Sequence, residues 1–175
     1  MAVGDFDGDG RADLFLATGA EWFWAPGGRN WQLLDTSGYG RSQLLLGDFM
    51  HDGRTRLLRI SGGHWLAAGL GEHWTSIGNA PTASVAGMVV GDFDGNGFAD
   101  VARTTGNPAI WQFATPATGT GWTALRFDNS AIAAHPIGRF DANRSSDVLL
   151  WNALHFSYAS AGRNPVQPLS RQDMR

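Results

Sequence analysis

Apolar residues in this chain come in short runs, each closed by turn-forming residues. Leu14 to Thr18, Leu57 to Ile60, Val101 to Thr104 and Val148 to Trp151 are largely apolar stretches of only four or five positions. Runs this short, bounded by Gly, Asn or Pro, predict buried strands. A turn follows each run, at Gly19-Ala20, Gly62-Gly63, Gly106-Asn107-Pro108 and Asn152-Ala153. Next comes an aromatic strand, at Trp22-Phe23-Trp24, Trp65-Leu66-Ala67, Trp111-Gln112-Phe113 and Phe156-Ser157-Tyr158. A Gly- or Pro-rich loop leads on to a third strand at Trp31, Trp74 and Trp122, a place held in the fourth copy by Pro165. The last strand runs straight into the next unit, over Leu44 to Phe49, Met88 to Phe93 and Ile137 to Phe140. No segment sustains a 3.6-residue apolar period with caps, which removes helical repeats.

The pattern is a repeat. Gly4-Asp5-Phe6 returns as Gly47-Asp48-Phe49, as Gly91-Asp92-Phe93 and as Gly138-Arg139-Phe140, at steps of 43, 44 and 47 residues. Four short antiparallel strands in roughly 40–50 residues is the size of one propeller blade. The predicted fold is therefore all-β, a β-propeller of four-stranded antiparallel blades with about four blades in this chain. It forms a single repeat domain over 1–175, with repeats at about 1–43, 44–87, 88–134 and 135–175. The stretch from Leu169 onward reads as the start of a further strand and Met1 to Phe6 as the end of one, so the two ends are expected to complement each other within one blade. A closed small ring and a portion of a larger propeller both fit this pattern. In the second case further blades from a longer chain, or self-association, would cover the exposed edges.

Polar chemistry concentrates where each repeat begins. Residues 4–13 hold four carboxylates and three glycines. Asp5, Asp7 and Asp9 alternate and Asp13 follows four residues later, so a tight loop can turn all of them onto one hard cation. Such crowding without a cation is repulsive. The loop is not an EF-hand: Leu16 stands at the twelfth position, and a strand rather than a helix follows.

Composition narrows the classes. All 13 basic residues are arginine and the net charge is −3, with no basic stripe, so no nucleic acid is expected as partner. No apolar run reaches the length of a membrane span. With no cysteine, disulfides, thiol catalysis and Cys-ligated zinc are removed together.

Gly-Asp-Phe-Asp-Gly-Asp-Gly-Arg-Ala-Asp-Leu at 4–14 and Gly-Asp-Phe-Asp-Gly-Asn-Gly-Phe-Ala-Asp-Val at 91–101 resemble FG-GAP/VCBS repeats, which also build the N-terminal propeller of integrin α-subunits. The resemblance covers all four repeats. It implies blades with Ca2+-bound loops, in extracellular binding, adhesion and accessory domains. It also implies two ligand sets: Asp5, Asp7, Asp9 and Asp13 with the Arg11 carbonyl, and Asp92, Asp94, Asn96 and Asp100 with the Phe98 carbonyl. The loop at 48–56 departs from the motif, with Met50 in place of one ligand and Arg56 in place of the last; an arginine–carboxylate pair is expected to do the structural job of the ion there. The loop at 139–147 opens on Arg139 but keeps Asp141, Asn143 and Asp147, and is also expected to be metal-free.

The tryptophans form two sets of equivalent positions: Trp22, Trp65 and Trp111 (with Phe156), and Trp31, Trp74 and Trp122. Large flat side chains fill the wedge between twisted sheets, so at least one set is expected to be core. The other reading is a sugar-binding pocket repeated per blade, as in the Trp-rich propeller lectins that this pattern resembles, with Arg29, Asn30, Glu72 and His73 as nearby polar groups. His51, His64, His73, His135 and His155 show no zincin spacing, and no Gly-x-Ser-x-Gly elbow occurs. The expected protein is a calcium-stabilised, secreted binding or adhesion module for glycan or protein, without catalysis. A structural accessory propeller of a larger secreted enzyme or toxin is the alternative, and a propeller hydrolase or lyase ranks last.

Overall fold

A computed structural model describes residues 1–119, 121–151 and 155–169. The chain is all-β, four four-stranded antiparallel sheets each built from one contiguous repeat, which is the four-bladed β-propeller class. It divides into two compact units, residues 1–86 with 116–119, and 87–115 with 120–175.

In the first unit, blade 1 contains β1 (Ala2–Gly4), β2 (Asp13–Ala17), β3 (Glu21–Ala25) and β4 (Gln32–Thr36), paired in that order. Blade 2 contains β5 (Leu45–Gly47), β6 (Arg56–Ser61), β7 (His64–Ala68) and β8 (Thr75–Asn79). In the second unit, blade 3 contains β9 (Val89–Gly91), β10 (Asp100–Thr105), β11 (Ile110–Ala114) and β12 (Thr123–Phe127). Blade 4 contains β13 (Ile137–Gly138), β14 (Asp147–Trp151), β15 (Phe156–Ala159) and β16 (Val166–Pro168). The expected turn at Asn152-Ala153 and the stretch 170–175 lie outside the described residues.

One expectation falls partly outside the described residues: the strand expected from Leu169 onward lies almost wholly in 170–175, while β1 pairs with β2 and β16 with β15. Another needs correction. The strand entering each loop is shorter than the apolar run suggests. It stops at the motif glycine, because the aspartate that follows already turns its carboxylate onto loop N–H groups.

Strand alternation sorts the side chains. In β2, Asp13, Phe15 and Ala17 share the buried face. The first unit packs Phe6, Phe15, Trp22, Leu44 and Leu57 into one cluster; the second packs Phe93, Trp111, Phe113, Leu125, Ile132 and Val148. The motif phenylalanines Phe6, Phe49 and Phe93 are thus core residues. The third strand of blades 1 to 3 carries a register shift immediately after its buried tryptophan, at Trp22/Phe23, Trp65/Leu66 and Trp111/Gln112. A bulge there increases the twist of the outer strand and blunts its edge against further pairing.

The motif glycines have a packing reason. A Cβ on Gly91 would sit 2.9 Å from Ser146 Cβ, and one on Gly4 would sit 2.6 Å from Thr55 Oγ1. At the same places the neighbouring loop is stitched on: Thr55 N–H donates to the Asp5 carbonyl at 2.6 Å, and Ser146 N–H to the Asp92 carbonyl at 2.5 Å. Gly91→Val is therefore expected to destabilise by about 2 kcal/mol through overpacking, read as a shifted urea midpoint at unchanged slope. An unaltered midpoint would show that the two loops can part freely.

Candidate metal centres and an aromatic cleft

The connector between the first two strands of blades 1 to 3 forms a tight loop around its leading aspartate. Asp5 accepts the Gly8 N–H at 2.7 Å and the Gly10 N–H at 2.9 Å. Asp7 accepts from Asp9 N–H, and Asp9 from Arg11 N–H. Gly8 and Gly10 have φ of 82° and 81°, a region that glycine enters without a Cβ penalty. The result brings one oxygen each of Asp5, Asp7 and Asp9 within 4.8 Å of one another. In blade 3, Asp92 accepts from Gly95, Asn96 and Gly97 N–H, and Asn96 Oδ1 accepts from Phe98 N–H. There the grouped oxygens belong to Asp92, Asp94 and Asp100. Asn96 lies at the same site, its amide donating to Asp94 at 3.0 Å.

Three converging carboxylates that keep free lone pairs, with no salt bridge from a basic side chain among the described residues, form a hard oxygen donor set. Asp100 adds a second sign of unmet charge. Burial, with help from Asp94 and Asp92, pushes its carboxyl up to about 7 against hydrogen bonds from Thr115 and Phe93. Both loops therefore fit a divalent cation. Asp5, Asp7 and Asp9 would hold it in blade 1, and Asp92, Asp94 and Asp100 in blade 3. The cation would supply charge neutralisation and loop order.

Asp13 does not join the first group. It is fully buried, and it accepts Phe6 N–H at 2.9 Å and Gly27 N–H at 2.8 Å. This clamp ties the end of the first strand to the 3-10 turn after the third. It recurs: Asp100 takes Phe93 N–H and the Thr115 hydroxyl, and Asp147 takes Phe140 N–H at 2.7 Å and Ala161 N–H at 2.9 Å. A buried face occupied by Asp13, Phe15 and Ala17 is the period-2 signal that marks it in the sequence.

The second loop keeps its leading aspartate, with Asp48 accepting Asp52 and Gly53 N–H. Arg56 replaces the clamp and pairs with both Asp52 and Glu72, at 2.5 Å to the latter. Glu72 in turn accepts Gly69 N–H at 3.2 Å. The arginine–carboxylate pair expected from the sequence is thus present, with a second carboxylate from a distant loop. Hydrogen bonding to Arg56 holds both Asp52 and Glu72 below the usual carboxylate range. Stability from these groups is fully present above their unfolded values near 4 and is lost as pH falls through the lowered folded values. Arg56→Met is expected to cost about 1–2 kcal/mol at neutral pH and to flatten stability against pH below about 4. Parallel acid-unfolding curves for the two proteins would contradict this. In the fourth loop the Ser160 hydroxyl donates to Asp141 at 2.7 Å and accepts from the Asn143 amide.

The two tryptophan sets separate cleanly. Trp22, Trp65 and Trp111 are 5, 1 and 0 % exposed and offer no face to a sugar, so the ligand role expected for them gives way to the core. Their indoles are anchored where a carbonyl is near: Trp22 Nε1 donates to the Tyr39 carbonyl and Trp111 Nε1 to the Ser130 carbonyl, both at 2.8 Å. Trp31 is 47 % exposed, and Trp74 and Trp122 are half-buried. Trp74 packs edge-on to Trp22 at 6.2 Å and carries the Arg59 guanidinium over its ring at 4.5 Å. Arg103 covers Trp122 in the same way at 3.9 Å.

In the first unit a cleft of about 270 Å3 is lined by Trp22, Leu34, Asp35, Glu72, His73 and Trp74, among others. Arg29 lines a different hollow beside Asp9 and Arg11. In the second unit, Ser130 lies 2.7 Å from His135 Nε2, a contact that sequence spacing does not announce. The Ser130 hydroxyl also lies 2.5 Å from Asp128 Oδ1, to which it donates. Among the described residues no helix is long and apolar enough to cross a membrane. Comparison of the chain with protein-family models, with curated proteins and with solved structures gives no match to any of them.

Proposed function

We propose that the protein is a calcium-stabilised, non-catalytic binding module of the extracellular kind, and that its target is a glycan. The cleft over Trp74 carries the glycan reading. An indole wall suits the C–H face of a pyranose, rim carboxylates and an imidazole suit its hydroxyls, and its volume is on the small side for ligand pockets, which start near 300 Å3. The carboxylate groups at Asp5 and Asp92 support the calcium reading, as does the resemblance of both loops to FG-GAP/VCBS repeats. The ion pair at Arg56 and the Ser160 bridge support loops 48–56 and 139–147 as metal-free counterparts.

A glycan array probed with the labelled chain in calcium buffer tests the reading. Binding to a defined set of saccharides, lost in Trp74→Ala while that variant still unfolds cooperatively, is the expected result. No hit on the array would leave the accessory-propeller alternative standing instead.

A further inference from the structure

The residue opposite each buried core tryptophan differs from blade to blade. Asp35 faces Trp22, Gly78 faces Trp65, and Arg126 faces Trp111. The position sits beside the cleft in the first unit, so it places a charge there by choice of side chain alone. Arg126 is neutralised by Asp128 at 3.0 Å. Asp35 is exposed; its Oδ1 accepts only its neighbour Thr36 N–H, and no basic side chain pairs with it among the described residues.

No arginine lines the cleft. Arg56 is spent on Asp52 and on one oxygen of Glu72, and Arg59 is held over the Trp74 ring at 4.5 Å. Asp35 is therefore the cleft carboxylate without an ion-pair partner among the described residues. A ligand cation gains a charge-assisted hydrogen bond from it. An anionic ligand meets repulsion from it.

We propose that the Trp74 cleft prefers a saccharide bearing a protonated amine, a hexosamine, and that Asp35 sets this preference. The inference rests on the glycan reading of the same cleft. The test titrates the full chain in calcium buffer with D-glucosamine, N-acetylglucosamine and glucose, following tryptophan fluorescence or heat, for the parent and for Asp35→Asn. Glucosamine is expected to bind about tenfold tighter than the two neutral sugars, with the margin shrinking at high salt. Asp35→Asn should bring all three together without changing the melting temperature. Equal affinities in the parent, or a margin that survives Asp35→Asn, would overturn the charge preference while the glycan reading stands. Silence of all three sugars alongside Trp74-dependent binding of another glycan would do the same. Silence of every saccharide removes both.

Discussion

Stripping divalent cations should lower the melting temperature by roughly 5–10 °C for each loop that holds one. At a free concentration one hundred times Kd, a ligand of the folded state alone adds about 2.7 kcal/mol. A chain of this length shifts by roughly 2–4 °C per kcal/mol. The effect belongs to the grouped carboxylates, and Asp7→Asn and Asp94→Asn isolate it. Each keeps an oxygen for the loop N–H that the aspartate now accepts, from Asp9 and Asn96 respectively, but removes a charge from the donor set. In calcium both variants should melt below the parent. In chelator the variants should melt with the parent or slightly above it, because without the cation the lost charge is only a lost repulsion. If chelator leaves the parent unchanged, the loops hold themselves by their backbone hydrogen bonds and the metal reading fails.

The second large effect needs no metal. Asp147→Ala removes the acceptor of both Phe140 N–H and Ala161 N–H inside a fully buried site. Two buried donors left without partners cost about 1–3 kcal/mol each, so roughly 2–6 kcal/mol is expected. Denaturant unfolding should show this loss equally in calcium and in chelator. Asp13→Ala should behave similarly through Phe6 and Gly27. If either loss vanished in chelator, the residue would be acting through the ion and the clamp account would be wrong for that blade.

These predictions show where the sequence was readable. Period and turn chemistry placed the strands to within a residue or so: Leu14 to Thr18 was expected and β2 runs Asp13–Ala17, Val101 to Thr104 was expected and β10 runs Asp100–Thr105. That success reflects local information, since glycine punctuation and apolar runs sit next to one another in the chain. The loops were legible for the same reason. The clamp was harder, because Asp13 follows three carboxylates that do group, and its equivalent Asp100 both clamps and groups. Glu72 was further still. Its partner Arg56 lies 16 residues away on another strand, and no spacing rule links a turn carboxylate to it. The tryptophans divided on register. Trp22, Trp65 and Trp111 point to a buried face, whereas Trp31, Trp74 and Trp122 stand one residue before the outer strand, where exposure depends on what packs beside that edge. Blade 4 shows the dependence directly: Phe156, at the place of a buried tryptophan, is 59 % exposed.

Calcium titration of the metal-stripped chain by calorimetry bears most directly on the central claim, that divalent ions pin the first and third loops. The account predicts a stoichiometry of two, falling to one in Asp7→Asn and to one in Asp94→Asn. Absence of heat, or a stoichiometry that neither substitution alters, would contradict it.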